Sequence, residues 1–140
     1  HCISSAASDV YKRQISIRIN TTVIMASGTQ YVKVFTVNKA TGEVVSLSSL
    51  LGGNKEQLEA ISENIKQQMQ AQMDADENIA YFLNSDLPDS DFKGITGEES
   101  YYFNENGELV ISFDEYEVAP GYMGAVTFTI PLNVTGKLAE

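Results

Sequence analysis

"YYFNENGELVISF", residues 101–113, decides the fold because it has the pattern of two strands joined by a turn. Asn106 and Gly107 stand between the two runs, and an Asn-Gly pair in that position is a strong hairpin signal. Apolar side chains in the second run recur at every other position, as in a strand with a buried face; they are Leu109, Ile111 and Phe113. The stretch therefore predicts two adjacent antiparallel strands.

The segment that follows, residues 114–132, predicts a turn and a further strand. An acidic, tyrosine-bearing run leads to Pro120 and Gly121, a pair typical of turns. Residues 126–130 then alternate apolar side chains with threonine, which predicts another half-buried strand. Pro131 cannot donate a hydrogen bond to a neighbouring strand, so we expect the strand to end there.

A second hairpin is predicted nearer the start of the chain. Apolar and polar side chains alternate with a period of two over residues 15–25. Gly28, within "ASGT", supplies a turn, and residues 30–38 form another β-rich run. The two runs therefore predict an antiparallel hairpin.

One long helix is predicted between the hairpins. Gly52 and Gly53 break the chain, and Asn54 can cap a helix that begins after it. Gln57 lies at the third helical position, where it completes a capping-box-like arrangement. Apolar side chains then recur at spacings of three and four and form one stripe, made of Leu58, Ile61, Ile65, Met69 and Met73. This order of elements predicts an α+β fold, an antiparallel sheet packed on one face by a single main helix.

Residues 1–14, "HCISSAASDVYKRQ", have no sustained period, and we expect them to be a non-native read-through or a disordered tail. They lack the apolar run of about 7–15 residues that a signal peptide needs. On this interpretation His1 and Cys2 have no functional role, and we expect the natural protein to begin upstream of this chain.

The charge of the chain narrows the classes of partner. Nine basic residues against nineteen acidic ones give a net charge of −10. Nucleic acid is disfavoured as a partner because its phosphates need Lys and Arg to replace counterions. Anionic membrane surfaces are disfavoured because they and the chain are both negatively charged. A cationic partner would be steered toward the acidic surface of this chain. No run approaches the ~20 apolar residues of a membrane span, so we expect any membrane anchor only in parts of the parent protein outside this chain.

Residues suited to catalysis or to metal binding are scarce. The one histidine, His1, and the one cysteine, Cys2, both lie in the suspected tail. That leaves no Ser–His or Cys–His pair and no set of zinc ligands. Carboxylates are plentiful, but the sequence singles out no pair of them for glycoside hydrolysis. We therefore expect no enzymatic activity, no cofactor and no bound metal.

One acidic loop resembles an incomplete calcium site. Asp89, Asp91 and Gly94 match the first, third and sixth positions of an EF-hand loop. Lys93 takes the fifth position, however, and Ser100 stands where a bidentate glutamate is required. We therefore interpret Asp89 and Asp91 as acids of a solvated loop and not as calcium ligands.

The ordered set of motifs resembles the RsiV-type domain of bacterial extracytoplasmic proteins. "FDEYEVAP" at residues 113–120 is followed by glycine and then by "FTIP" at residues 128–131. Upstream, residues 37–65, "VNKATGEVVSLSSLLGGNKEQLEAISENI", are similar to the same family's preceding segment and helix. The resemblance covers residues 36–131. It implies one domain over residues 39–140, with residues 15–38 as the tail of a preceding PdaC-like domain.

The resemblance implies an extracytoplasmic binding function on the outer face of a bacterial cell. Members of this family form the outer part of membrane-anchored anti-sigma factors that bind lysozyme, and binding exposes the anti-sigma factor to proteolysis. Others are accessory, non-catalytic modules of PdaC-type peptidoglycan deacetylases. The expected partner is therefore a basic protein such as lysozyme, or alternatively cell-wall glycan.

The predicted contact site lies around the Pro-Gly turn. Pro120 would hold the turn rigid and Tyr122 would be presented by it. Lesser candidates are Tyr116 and three neighbouring acids, namely Asp114, Glu115 and Glu117. The alternative is that Pro120 and Gly121 only turn the chain while the tyrosines complete the core.

Overall fold

The structure is a computed structural model that describes residues 2–11, 14–26, 28–136 and 138. The strands of the described chain are β1 (Cys2–Tyr11), β2 (Gln14–Ile24), β3 (Gly28–Asn38), β4 (Ser100–Phe103), β5 (Leu109–Phe113) and β6 (Val126–Ile130). The helices are α1 (Leu47–Leu50), α2 (Lys55–Ala75), a short 3₁₀ helix (Gly121–Met123) and α3 (Leu132–Thr135).

The described strands form two antiparallel sheets of three strands each. The N-terminal sheet has the order β1-β2-β3 and the C-terminal sheet the order β4-β5-β6. The predicted α+β class with antiparallel pairing and one main helix is confirmed. The sequence periodicity reports each strand but not which strands share a sheet, and the structure divides the described strands between these two sheets.

Both predicted hairpins are present. β2 pairs with β3 from Gln14 opposite Asn38 to Ile24 opposite Gly28. β4 pairs with β5, and the loop between them places Gly107 at φ 74°, a left-handed conformation that glycine adopts at little cost. The Gly107 N–H donates to the carbonyl of Asn104 at 2.9 Å, which closes the turn.

The helix α2 covers the C-terminal sheet with the predicted apolar stripe. Ile61, Ile65 and Met69 are fully buried, and Leu58 and Met73 pack at the margins of the same core. The rings of Phe113 and Phe128 meet edge to face with centroids 5.9 Å apart. Every residue of β5 is buried, so this central strand is covered on both faces.

The N-terminus of α2 is capped as predicted at one position and differently at another. The side chain of Asn54 accepts a hydrogen bond from the Gln57 N–H at 3.3 Å. Gln57 does not close a capping box in the structure. Its Nε2 donates to the carbonyl of Thr135 at 2.8 Å, because α3, which follows Pro131, brings that carbonyl within reach.

Side chains of the C-terminal half join β3 to the C-terminal sheet. The backbone N–H of Val32 donates to Asp114 Oδ1 at 2.6 Å, and that of Val34 donates to Ser100 Oγ at 3.1 Å. The Thr36 hydroxyl donates to the carbonyl of Tyr101 at 3.1 Å. The first two bonds satisfy backbone donors along the edge of β3 that a neighbouring strand would otherwise pair with.

The sequence patterns did not predict β1. Its backbone pairs antiparallel with β2, with an irregularity in register between Ser5 and Ser8. His1 lies outside the described residues. The expectation that residues 1–14 are a read-through or a tail stays a prediction, as does the division into residues 15–38 and 39–140.

Candidate functional site

The segment between β5 and β6 projects the residues predicted to contact a partner. Val118 and Ala119 are buried and anchor the segment in the core. Pro120 then precedes the 3₁₀ helix with φ −58° and ψ 152°, and its carbonyl accepts a hydrogen bond from the Met123 N–H at 2.9 Å. We call residues 116–122 the tyrosine turn.

Tyr116 begins the tyrosine turn in an unusual backbone conformation. Its φ is 68°, a left-handed value that costs a non-glycine residue about 1–3 kcal/mol. The side chain is 60% exposed. Its ring lies directly over Gly121, where a Cβ would stand 2.3 Å from Tyr116 Cζ. Only glycine at this position leaves room for the ring.

Tyr122 ends the tyrosine turn and is 71% exposed. Its hydroxyl donates to the carbonyl of Asn78 at 3.1 Å, across 44 positions of sequence. Asn78 is itself held by the carboxylate of Asp76, which accepts from its backbone N–H at 2.9 Å and from its side chain at 2.8 Å. These hydrogen bonds lower the pKa of Asp76. The tip of Tyr122 is therefore fixed while its ring faces solvent.

Both tyrosines thus lie at the surface, and neither completes the core. The structure brings them together with Pro120, which is partly exposed beside them. The alternative in which the tyrosine rings finish the core is therefore not what the structure shows. Their role in binding a partner stays a prediction.

The three predicted acids form hydrogen bonds within the chain. Asp114 caps the Val32 N–H as described, and Glu115 Oε2 accepts from the Gln30 N–H at 2.7 Å. Glu117 Oε2 accepts from the Asp114 N–H at 2.8 Å. Partial burial raises the pKa of Glu117, and the charge of Asp114 raises it further. Asp114 and Glu115 thus join the start of this segment to β3, and Glu117 joins the tyrosine turn to Asp114. The sequence did not indicate this role.

Sequence reasoning overlooked two residues near these acids. Glu99 accepts hydrogen bonds from the backbone N–H groups of Thr96, at 2.6 Å, and Gly97, at 2.8 Å. Ser112 is buried in β5. Both residues line the same small cavity as Asp114 and Glu117. No local pattern marks either of them, since the cavity forms only when β3 meets the C-terminal sheet.

The calcium-like loop is joined by Asp91 to Ser85, which precedes the loop. Asp91 accepts from the hydroxyl of Ser85 at 2.5 Å and from its backbone N–H at 3.1 Å. The Ser85 hydroxyl is the largest cause of the lowered pKa of Asp91. Across the described ranges, no group of three or more His, Cys, Asp or Glu residues is placed to hold a metal ion.

Within those same ranges, no helix is both long and apolar enough to span a bilayer.

A curated relative matches most of the chain. The chain is 42% identical over 124 residues to Anti-sigma-V factor RsiV of Bacillus subtilis (strain 168). The match covers 89% of this chain and 43% of the relative, so the chain spans less than half of that protein's length. The relative's name is that of an anti-sigma factor and not of an enzyme.

Two crystal structures show the same fold. A DUF3298 family protein from Pseudomonas aeruginosa PAO1 superposes with a TM-score of 0.68 at 17% identity, covering 97% of this chain and 62% of that one. A DUF3298 family member from Bacteroides fragilis superposes with a TM-score of 0.63 at 18% identity, covering 97% of this chain and 56% of that one.

The family model itself matches residues 48–133, described as "Protein of unknown function (DUF3298)". That range contains α2, the whole C-terminal sheet and the tyrosine turn. Together with the relative at 42% identity, this match establishes that the chain belongs to the DUF3298 family and contains an RsiV-type domain.

Proposed function

We propose that this chain is part of the extracytoplasmic sensor domain of a bacterial anti-sigma factor, and that it binds a basic protein such as lysozyme. The observation that carries the proposal is the 42% identity to an anti-sigma factor across 89% of the chain. The resemblance of the motifs to lysozyme-sensing domains supplies the class of partner and the placement on the outer face of the cell.

The charge of the chain supports a basic partner. A net charge of −10 attracts a cationic protein over distances comparable to the Debye length, about 8–10 Å at ordinary salt. Such complementarity accelerates encounter more than it adds affinity. The affinity must therefore come from a contact surface of defined shape.

The tyrosine turn supplies such a surface. Tyr116 and Tyr122 present two rings to solvent, and tyrosine is enriched among the residues that dominate binding energy. Pro120 restricts the backbone, and Tyr122 is held at its hydroxyl by the carbonyl of Asn78. A surface that is ordered before binding loses less conformational entropy when the partner arrives.

In this function the domain contributes recognition and no chemistry. Lysozyme bound at the tyrosine turn would be the signal. The later events that the resemblance implies, proteolysis of the anti-sigma factor and release of a sigma factor, would follow from that binding.

A second candidate function is that of an accessory module that positions a peptidoglycan deacetylase on cell-wall glycan. A cavity of about 440 Å³ between α2 and residues 83–93 favours it. Gln67, Gln70 and Asn84 contribute amide groups to the cavity, and Phe92 contributes an aromatic wall. Its volume lies in the range of small-ligand sites, and the other residues that line it are Lys66, Leu83, Asp91 and Lys93.

Calorimetry with a basic lysozyme tests the first candidate. Binding is expected at about 0.05 M salt and should weaken markedly at about 0.5 M, since salt screens the attraction. Co-sedimentation with purified peptidoglycan tests the second candidate. If the chain does not bind lysozyme at low salt but is retained on peptidoglycan, the accessory-module function is favoured over the sensor function.

A further inference from the structure

A cavity of about 140 Å³ lies where β3 meets the C-terminal sheet. Its described lining contains four carboxylates and one ammonium group, that of Lys33. The carboxylates come from the loop before β4 and from the end of β5 and the turn beyond it; they belong to Glu98, Glu99, Asp114 and Glu117. We call this cavity the acidic socket.

A buried hydroxyl without a partner also lines the acidic socket. Ser112 is only 4% exposed. Its Oγ has no hydrogen-bond partner among the described residues. Most buried polar groups are paired, and leaving one unpaired is costly. This hydroxyl is independent of the carboxylates, and a donor that entered the socket would supply the hydrogen bond that it lacks.

The acids that line the socket are held in place and still have capacity to accept hydrogen bonds. Asp114 and Glu117 are fixed by the backbone N–H groups of Val32 and Asp114 respectively. An ionised carboxylate has about four lone-pair sites, so one such bond leaves others free. Lys33 Nζ approaches Asp114 Oδ2 at only 3.6 Å, and the Lys33 side chain is 65% exposed. Its charge therefore compensates the cluster weakly.

We propose that the acidic socket receives one lysine or arginine side chain of a bound basic protein, with Ser112 Oγ and the neighbouring carboxylates accepting its N–H groups. The identity of the partner rests on the proposed function, whereas the chemistry of the socket does not. A metal ion is a poorer occupant, because the described acids include no group placed to hold one. An ammonium or guanidinium group needs only dispersed acceptors.

An adjoining cavity of about 210 Å³ accommodates the rest of such a side chain. It shares Lys33, Glu98, Glu99 and Ser100 with the socket. It adds the exposed apolar side chains of Phe35 and Val44. Long basic side chains lay their methylene stems along apolar surface while the charged head reaches polar groups. The adjoining cavity thus offers apolar surface to the stem of such a side chain, and the socket offers carboxylates to its charged head.

A titration of the whole chain with arginine methyl ester tests the socket without any protein partner. In nitrogen–proton NMR spectra, the amides of Glu99, Ser112 and Asp114 should shift together and saturate at millimolar ligand. Tetramethylammonium is also a cation but has no N–H donors, so it should not produce these shifts. Shifts spread over the acids of α2, equal for the two cations, would overturn the proposal.

Two substitutions localise the effect. Glu117→Gln removes a charge while its amide oxygen can still accept from Asp114 N–H, so the fold should be retained. Ser112→Ala removes the unpartnered hydroxyl. Each is expected to weaken arginine-ester binding about tenfold, the order expected for the loss of one hydrogen bond. Glu59→Gln on the exposed face of α2 is the matched control and should bind as the wild type does.

The same variants with a basic lysozyme separate the two proposals. A loss of about tenfold in lysozyme affinity for Glu117→Gln, with none for Glu59→Gln, supports the socket as part of that interface. If lysozyme fails to bind the wild type while arginine ester still binds locally, the socket stands and the proposed partner is wrong. If lysozyme binds Glu117→Gln normally and arginine ester gives no localised shift, the socket is wrong and the proposed function stands.

Discussion

The ring of Tyr116 occupies the space that a side chain at Gly121 would need: a Cβ there would lie 2.3 Å from Cζ and 2.4 Å from the hydroxyl oxygen of Tyr116. The glycine thus sets the position of an exposed ring five residues earlier in the chain. Because Gly121 also starts the 3₁₀ helix that carries Tyr122, one small residue arranges both rings of the tyrosine turn.

Gly121→Ala should move the Tyr116 ring with little effect on stability. The clash involves the far end of an exposed side chain, which can rotate away, so we expect a loss of less than about 1 kcal/mol in the free energy of unfolding. The Tyr116 aromatic resonances should shift strongly while the melting temperature barely changes. Gly28→Ala is the control, since its Cβ would meet only Thr22 Cγ2 at 3.8 Å. Unchanged Tyr116 resonances would contradict the contact.

Asp114→Ala should destabilise the joint between β3 and the C-terminal sheet. It removes the acceptor of the Val32 N–H, a 2.6 Å bond, and an unsatisfied donor of this kind costs about 1–3 kcal/mol. Asp114→Asn keeps an oxygen at that position and should restore most of the loss. Amide hydrogen exchange at Val32 should accelerate in the alanine variant only. Equal exchange in wild type and both variants would show that this bond does not stabilise β3.

Tyr101→Phe should lower stability at neutral pH by about 1 kcal/mol, because it removes the donor to the Val45 carbonyl, a bond of 2.8 Å. Burial raises the pKa of Tyr101 to about 12. The folded state therefore favours the neutral phenol, and stability is lost as the pH rises from about 10, where an unfolded tyrosine ionises.

The same pKa makes the difference between wild type and Tyr101→Phe depend on pH. Below about pH 10 the Tyr101 phenol is neutral in both the folded and the unfolded wild type. The full difference in the free energy of unfolding between the two proteins should therefore be present. Between about pH 10 and 12 the wild type alone loses this contribution, so the difference should shrink. Urea unfolding of the two proteins at pH 7 and 11 measures this difference in the free energy of unfolding. A difference that grows with pH would be inconsistent with a buried neutral phenol.

Local patterns predicted the two hairpins and the long helix correctly, but they did not predict β1. The alternation around Asn106 and Gly107 predicted the β4–β5 hairpin, and the apolar stripe of α2 is the face that is buried. Both patterns are set by neighbours in sequence, through the periods of strand and helix. Pro131 likewise ends β6, since it has no N–H for a ladder.

What the sequence did not reveal are contacts between distant segments. Gln57 has the residue type of a capping box, yet a carbonyl 78 positions away takes its side chain. Asp114 and Glu115 have the composition of a solvated acidic run, yet they cap the backbone of β3 from 82 and 85 positions away. No periodicity records such pairings, and Ser112 alternates in β5 like any polar strand residue.

Affinity of a basic lysozyme for Tyr122→Ala, measured against the wild type by calorimetry at low salt, is the most direct test of the claim that the tyrosine turn binds the partner. Leu87→Ala is the matched control, because Leu87 is an apolar side chain of comparable exposure, 69% against 71%, in another loop. We predict a loss of about 30-fold for Tyr122→Ala and none for Leu87→Ala, as for removal of a principal interface residue. Equal affinities of wild type and Tyr122→Ala would contradict the account.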